Sequence, residues 1–185
     1  MNGMQTIWRK KNLSSLFSLL LALVCSLCLV LAAFSTQAAE QVKLNAPAPD
    51  FTLPTLEGKD LSLSSLKGKV VLVAFWSIYC HVCRQETPKL NAIYKKYKDQ
   101  GLEVIGVAID REPAGTIQEA VRKDGLSFPI LLDGEKKAMK TYQARALPAV
   151  FILDRNGIIV EKKVGIYEWS SPESEQLIEK LLKKR

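Results

Sequence analysis

The sequence predicts an α/β domain built on a central mixed β-sheet with helices on both faces. Three observations lead there. Val70–Trp76 and Leu102–Ile109 are almost continuously apolar, the pattern of strands buried on both faces. Helical periodicity follows each of them, running to about Lys98 after the first and over Thr116–Lys123 after the second. Finally, Ala149–Leu153, the turn Asp154-Arg155-Asn156-Gly157 and Ile158–Val164 read as a hairpin. Strand–helix alternation that ends in a hairpin and a closing helix requires a mixed sheet.

The remaining elements fit around that frame. Asn45-Ala46-Pro47-Ala48-Pro49 reads as a stiff proline-rich connector. Phe51–Leu53 is a short edge-strand candidate, and Glu57-Gly58-Lys59 and Lys67-Gly68-Lys69 are breaks. In the first helical segment, Leu90, Ile93 and Tyr97 share a stripe from which Lys95, Lys96 and Lys98 are excluded, and Pro88 should kink it. Gly101 closes it. Phe128–Leu132 is a short strand, Glu135–Tyr142 a short helix, and Pro172–Lys184 a terminal helix with proline in its first turn.

Ahead of the domain, Arg9-Lys10-Lys11 precede an apolar run over residues 13–34, of which Leu16–Phe34 is broken only by Ser18 and Ser26. A basic start followed by an apolar segment is an export signal that sends the rest of the chain across the membrane. Its length favours an uncleaved anchor, since a spanning helix needs about 17–25 residues. Small residues at Ser35–Ala39 leave cleavage, and a soluble product outside the cytoplasm, as the alternative. The expected organisation is therefore residues 1–39 as signal or anchor, 40–49 as linker and 50–185 as the folded domain.

Net charge is +7, but without the three basic residues ahead of the apolar run it falls to 23 basic against 19 acidic residues. The rest are scattered, apart from Lys180, Lys183, Lys184 and Arg185, which suit the negative end of a terminal helix. No basic stripe with interleaved aromatics occurs, so nucleic acid is not an expected partner.

Cys25 and Cys28 lie in the apolar run, which leaves Cys80 and Cys83 as the cysteines of the domain. Two residues apart, they are too close to staple a long loop, and a zinc site would want about four ligands where only His81 remains. A Cys-x-x-Cys between a buried strand and a helix has a definite chemical use. The unpaired N–H groups and partial positive charge of the helix start stabilise a thiolate at Cys80, and Cys83, one turn deeper, can resolve a mixed disulfide.

Residues 73–88, Val-Ala-Phe-Trp-Ser-Ile-Tyr-Cys-His-Val-Cys-Arg-Gln-Glu-Thr-Pro, resemble the active-site stretch of the ResA/TlpA-type extracytoplasmic thioredoxins. Ala48–Leu53, Leu66–Lys69 and Ala146–Phe151 resemble that family too, in the same order, so the likeness spans about residues 45–168. Tyr79, where tryptophan is usual, and His81-Val82, where a proline is common, depart from it. The resemblance implies a thioredoxin-like fold and a thiol–disulfide oxidoreductase without cofactor or metal. It implies that Pro148 is a cis-proline facing the cysteines, and that Glu86, on the helical face of Cys83, tunes their protonation. A solvated glutamate pairing with a lysine is the plain alternative for Glu86. Trp76, Tyr79, His81 and Leu147 are expected around the substrate. His81 either favours the Cys80 thiolate or merely shapes the loop. Expected partners are a disulfide of an exported protein such as apocytochrome c, a membrane thiol donor of electrons, and the membrane itself.

Other readings stay open from sequence. The same residues run in reverse would donate disulfides. A peroxiredoxin shares the lead-in, and Ser77 fits it, but Val73 stands where its proline should be and a second cysteine follows at once. Copper delivery is disfavoured by a single histidine adjacent to the pair.

Overall fold

A computed structural model describes residues 42–184. The expected export segment, with Cys25 and Cys28, lies outside the described residues. The described residues belong to one compact unit.

Strand β3 (Val70–Trp76) is buried along its whole length because it is the middle of a five-stranded sheet ordered β5-β4-β3-β6-β7. It pairs in parallel with β4 (Leu102–Ala108), which pairs in parallel with β5 (Ile130–Leu132). On its other side β6 (Ala149–Leu153) runs antiparallel, followed by antiparallel β7 (Ile159–Val164). The turn between these last two closes as expected, with Asp154 N–H donating to the Ile158 carbonyl and Gly157 at φ +77°. The first short strand is Thr52–Pro54 (β1), and it pairs with β2 (Asp60–Ser62) in a separate hairpin.

The period-two alternation of β3 divides the core. Val70, Leu72, Ala74 and Trp76 meet helix α1 (His81–Tyr97), helix α2 (Ala114–Lys123) through Ile117, and helix α4 (Pro172–Lys183) through Ile178 and Leu181. Val71, Val73 and Phe75 face the opposite side, where Leu63 and Leu66 of a short 3-10 turn, helix α3 (Lys137–Thr141) and Tyr142 cover them. A fully buried side chain such as Phe75 contributes roughly 1.5–3 kcal/mol by leaving water. Stripe residues Leu90, Ile93 and Tyr97 are buried while Lys95, Lys96 and Lys98 are not. Helix α1 continues through Pro88 over seventeen residues and is followed by Gly101 in the left-handed region at φ +99°. Ser171 caps α4 by accepting the Ser174 N–H, with Pro172 in the first turn.

One expectation changes in form. The proline-rich lead-in is stitched to the sheet: Asn45 N–H donates to Ile159, Ile159 N–H to Ala46, and Ala48 N–H to Gly157. Its backbone groups find partners on the start of β7, where a free connector would have only water.

Register then gathers four chain segments at one end of the sheet. Trp76 pairs with Ala108, so the exits of β3 and β4 lie side by side. Ala149 pairs with both Phe75 and Val164, which brings the entry to β6 and the exit of β7 to that same end.

Candidate active site

At the exit of β3 the chain must leave the sheet and turn into α1 within four residues, Ser77–Cys80. A buried carboxylate on the neighbouring exit holds that turn. Asp110, just past β4, accepts the Ser77 hydroxyl at 2.6 Å and the Ile78 N–H at 3.1 Å, and the Ser77 oxygen in turn accepts the Tyr79 N–H at 3.1 Å. Both carboxylate oxygens are thus engaged. The turn delivers Cys80 as the N-cap of α1, where its sulfur accepts the Cys83 N–H at 3.1 Å. An N–H of the helix start is therefore aimed at the atom that would carry charge as a thiolate.

Cys80 and Cys83 are joined as a disulfide with Cα atoms 5.2 Å apart. The two sulfurs are not equivalent. Cys80 is half-buried, whereas Cys83 has 0% exposure, under the helix. An attacking group needs access and a resolving group does not.

Glu86 lies one turn beyond Cys83 and is 4% exposed, not solvated. Its Oε1 accepts the indole N–H of Trp169 at 2.5 Å, while Oε2 is buried without a hydrogen-bond partner. Burial pushes this carboxyl above the ordinary glutamate range, and the Trp169 hydrogen bond and the Lys89 cation oppose that rise only in part. Among the described residues no lysine forms an ion pair with it; Lys89 is engaged by Glu168 at 2.5 Å.

The Leu147–Pro148 peptide bond is cis. Pro148 directly precedes Ala149, which pairs with Phe75, so it lies at the end of the sheet from which the cysteine turn emerges. Its carbonyl accepts the Gly165 N–H at 2.9 Å. Leu147 is half-buried and touches both halves of the core.

Three expected substrate-lining residues divide differently. Tyr79 is 73% exposed beside Cys80, and its hydroxyl donates to Glu112 at 2.8 Å. His81 is exposed in the first turn of α1, with its Nε2 3.1 Å from the Gln85 amide nitrogen. Trp76 has to be corrected: at 1% exposure it belongs to the core and not to a substrate surface. The strand alternation that buries Val70, Leu72 and Ala74 under the helices continues to position 76.

Sequence reasoning missed Asp110, Glu112 and Trp169. Asp110 directly follows an apolar run, a position from which a polar side chain can reach the neighbouring strand exit, and that was a readable signal. Trp169 gave none beyond being a large apolar residue just ahead of a helix.

A family model described as AhpC/TSA matches residues 44–162. A thiol–disulfide oxidoreductase ResA from Bacillus thuringiensis is 37% identical over 126 residues, covering 68% of this chain and 72% of the relative. Among solved structures, one described as a thiol:disulfide interchange protein DsbE, from Chlorobium tepidum, superposes with a TM-score of 0.71 at 30% identity, covering 77% of this chain and 99% of that one. The thioredoxin domain of a thiol–disulfide oxidoreductase from Bacteroides vulgatus matches with a TM-score of 0.67 at 30% identity, over 77% and 99% of the two chains.

Proposed function

The chain belongs to the AhpC/TSA family and to the ResA-type thiol–disulfide oxidoreductases of thioredoxin-like fold, and from that premise we propose that it reduces disulfides of exported proteins outside the cytoplasm. The carrying observation is the asymmetry of the Cys80–Cys83 pair, one sulfur reachable at a helix start and the other buried beneath it.

In the working direction, the Cys80 thiolate attacks one sulfur of the substrate disulfide. That bond breaks, a mixed disulfide forms, and the departing substrate sulfur takes a proton. Cys83 then gives its proton to the Glu86 carboxylate, and its thiolate attacks the Cys80 sulfur. The Cys80–Cys83 disulfide closes and the second substrate sulfur leaves. Two electrons have passed to the substrate, and a membrane thiol donor restores the pair. Pro148, beside the cysteine turn, seats the extended substrate segment, with Tyr79, His81 and Leu147 around it. An apocytochrome c whose cysteines must be free before haem attachment is the substrate this reading favours.

Location rests on the export segment over residues 13–34, which supports a membrane anchor with the domain outside. Among the described residues no helix is long and apolar enough to cross a membrane.

Replacing Cys83 by serine and trapping mixed disulfides at Cys80 in cells tests the reading: exported thiol proteins should be attached. Direction is tested by the reduction potential, because related pairs span about −270 to −120 mV and a value above about −150 mV would make the protein a disulfide donor.

Peroxide reduction is the second reading, favoured by the AhpC/TSA match itself. Against it, the Ser77 hydroxyl is spent on Asp110 and Tyr79, and the cysteines pair within one turn. Rapid peroxide consumption by the reduced protein would establish it.

A further inference from the structure

Resting on the reading that Glu86 accepts the Cys83 proton, we propose that Trp169 is a positioning residue for that transfer: its indole N–H ties down one oxygen of Glu86 and leaves the other as the sole proton-carrying atom.

The geometry carries this at two levels. First, the indole is the hydrogen-bond partner of Glu86 among the described residues, and it engages Oε1 alone while Oε2 stays buried and unpartnered. A carboxyl held this way cannot flip its two oxygens freely, so the proton is taken up and released at one defined atom. Second, Trp169 is itself held from several sides. It has 0% exposure and stands edge-on to Tyr167 with ring centroids 4.9 Å apart. Its neighbour Glu168 pins the connector between β7 and α4 to α1 through Lys89 and also accepts the Ser170 N–H. The connector thus meets α1 at two places, Glu168 to Lys89 and Trp169 to Glu86, and both members of the second pair are buried.

Charge around Glu86 is sparse, so the indole is a large part of its setting. Lys89 on α1 favours the carboxylate but is paired with Glu168, and Lys163 of β7 sits over the Tyr167 ring. The buried cluster that holds Cys83 and Trp169 is apolar, with Leu72, Ala74 and Val150 of the sheet and Ile178 and Leu181 of α4. A hydrogen bond donated to Oε1 favours the charged form. Losing it should therefore move proton uptake by Glu86 to higher pH.

The test is a double-mutant cycle in the full chain, reading the pH profile of disulfide reduction and of Cys83 alkylation in the reduced protein. Trp169→Phe should move the limb set by Glu86 upward by about one pH unit, the scale of a hydrogen bond to a charged group. Glu86→Gln should abolish that limb, and adding Trp169→Phe to it should change nothing further. An equal shift from Trp169→Phe with and without Glu86 would overturn the proposal, because the indole would then act on packing alone. A Glu86→Gln variant with an unaltered profile would instead sink the Glu86 reading beneath it. Should Trp169→Phe fail to fold, the Trp169 indole N–H resonance of the unmodified chain decides. It should titrate with the midpoint of the limb and stay constant in Glu86→Gln; a resonance indifferent to pH overturns the proposal.

Discussion

The two sides of the cysteine pair are built on opposite physical terms. On the Cys80 side, the turn Ser77–Cys80 is open to solvent at Tyr79 and is held by polar groups, chiefly the two oxygens of Asp110. On the Cys83 side, Glu86 of α1 and Trp169 of the connector to α4 are both buried and meet through one hydrogen bond. Access is what a nucleophile needs, and hydrogen bonds can fix its position without covering it. A proton acceptor benefits from the reverse, since a dry setting raises its affinity for the proton.

The largest expected effect comes from removing the open sulfur. Cys80→Ser should lower turnover by about 10³-fold or more, whereas Cys83→Ser should still attack and accumulate mixed disulfide. Single-turnover trapping separates the two, and equal attachment by both variants would erase the asymmetry. Next is the polar scaffold of the open side. Asp110→Ala leaves the Ser77 hydroxyl and Ile78 N–H without their acceptor and should cost about 2–3 kcal/mol in denaturant unfolding. Slower alkylation of Cys80 should accompany it.

Beneath both sides lies Trp76, and Gly106 makes room for it. A Cβ there would sit 2.7 Å from Ile130 Cδ1, 2.9 Å from Phe128 and 3.1 Å from the Trp76 indole nitrogen. Gly106→Ala should destabilise by about 1–3 kcal/mol through overpacking, measured by the same unfolding curve.

Smaller, and specific to the buried side, is a pH effect. Because burial raises the Glu86 pKa above its unfolded value of about 4.3, the folded state holds the proton more tightly. That contribution is present below the unfolded value and is lost as pH rises through the folded one. The stability of the parent protein relative to Glu86→Gln should therefore fall as pH rises above about 4, as thermal melts at a series of pH values would record. A difference independent of pH would mean that Glu86 titrates normally. Smallest of all, Tyr79→Phe removes an exposed hydrogen bond to Glu112 and should change stability by less than about 0.5 kcal/mol.

Much of the fold was legible because burial writes itself into composition. Val70–Trp76 and Ala149–Leu153 were read with the boundaries the structure shows, since a strand covered on both faces admits almost only apolar residues. Boundaries slipped where burial is partial: Phe128 is buried yet precedes β5, and the short α3 is Lys137–Thr141 instead of Glu135–Tyr142. Trp76 misled because a large aromatic near an active motif serves a surface or a core equally well, and only the strand alternation distinguishes them.

By itself, the sequence determined the candidate site and its local frame: a cysteine pair spaced by one helical turn after a buried strand, with Glu86 on the same helical face. Those are relations between residues close in the chain, which helical and strand periods fix without reference to anything distant. Only the tertiary structure decided what surrounds them. Asp110 reaches Ser77 across 33 residues and Trp169 reaches Glu86 across 83, because parallel pairing of β3 with β4 and antiparallel pairing through β6 to β7 bring four chain segments to one end of the sheet. Register sets those meetings, and register belongs to the assembled sheet.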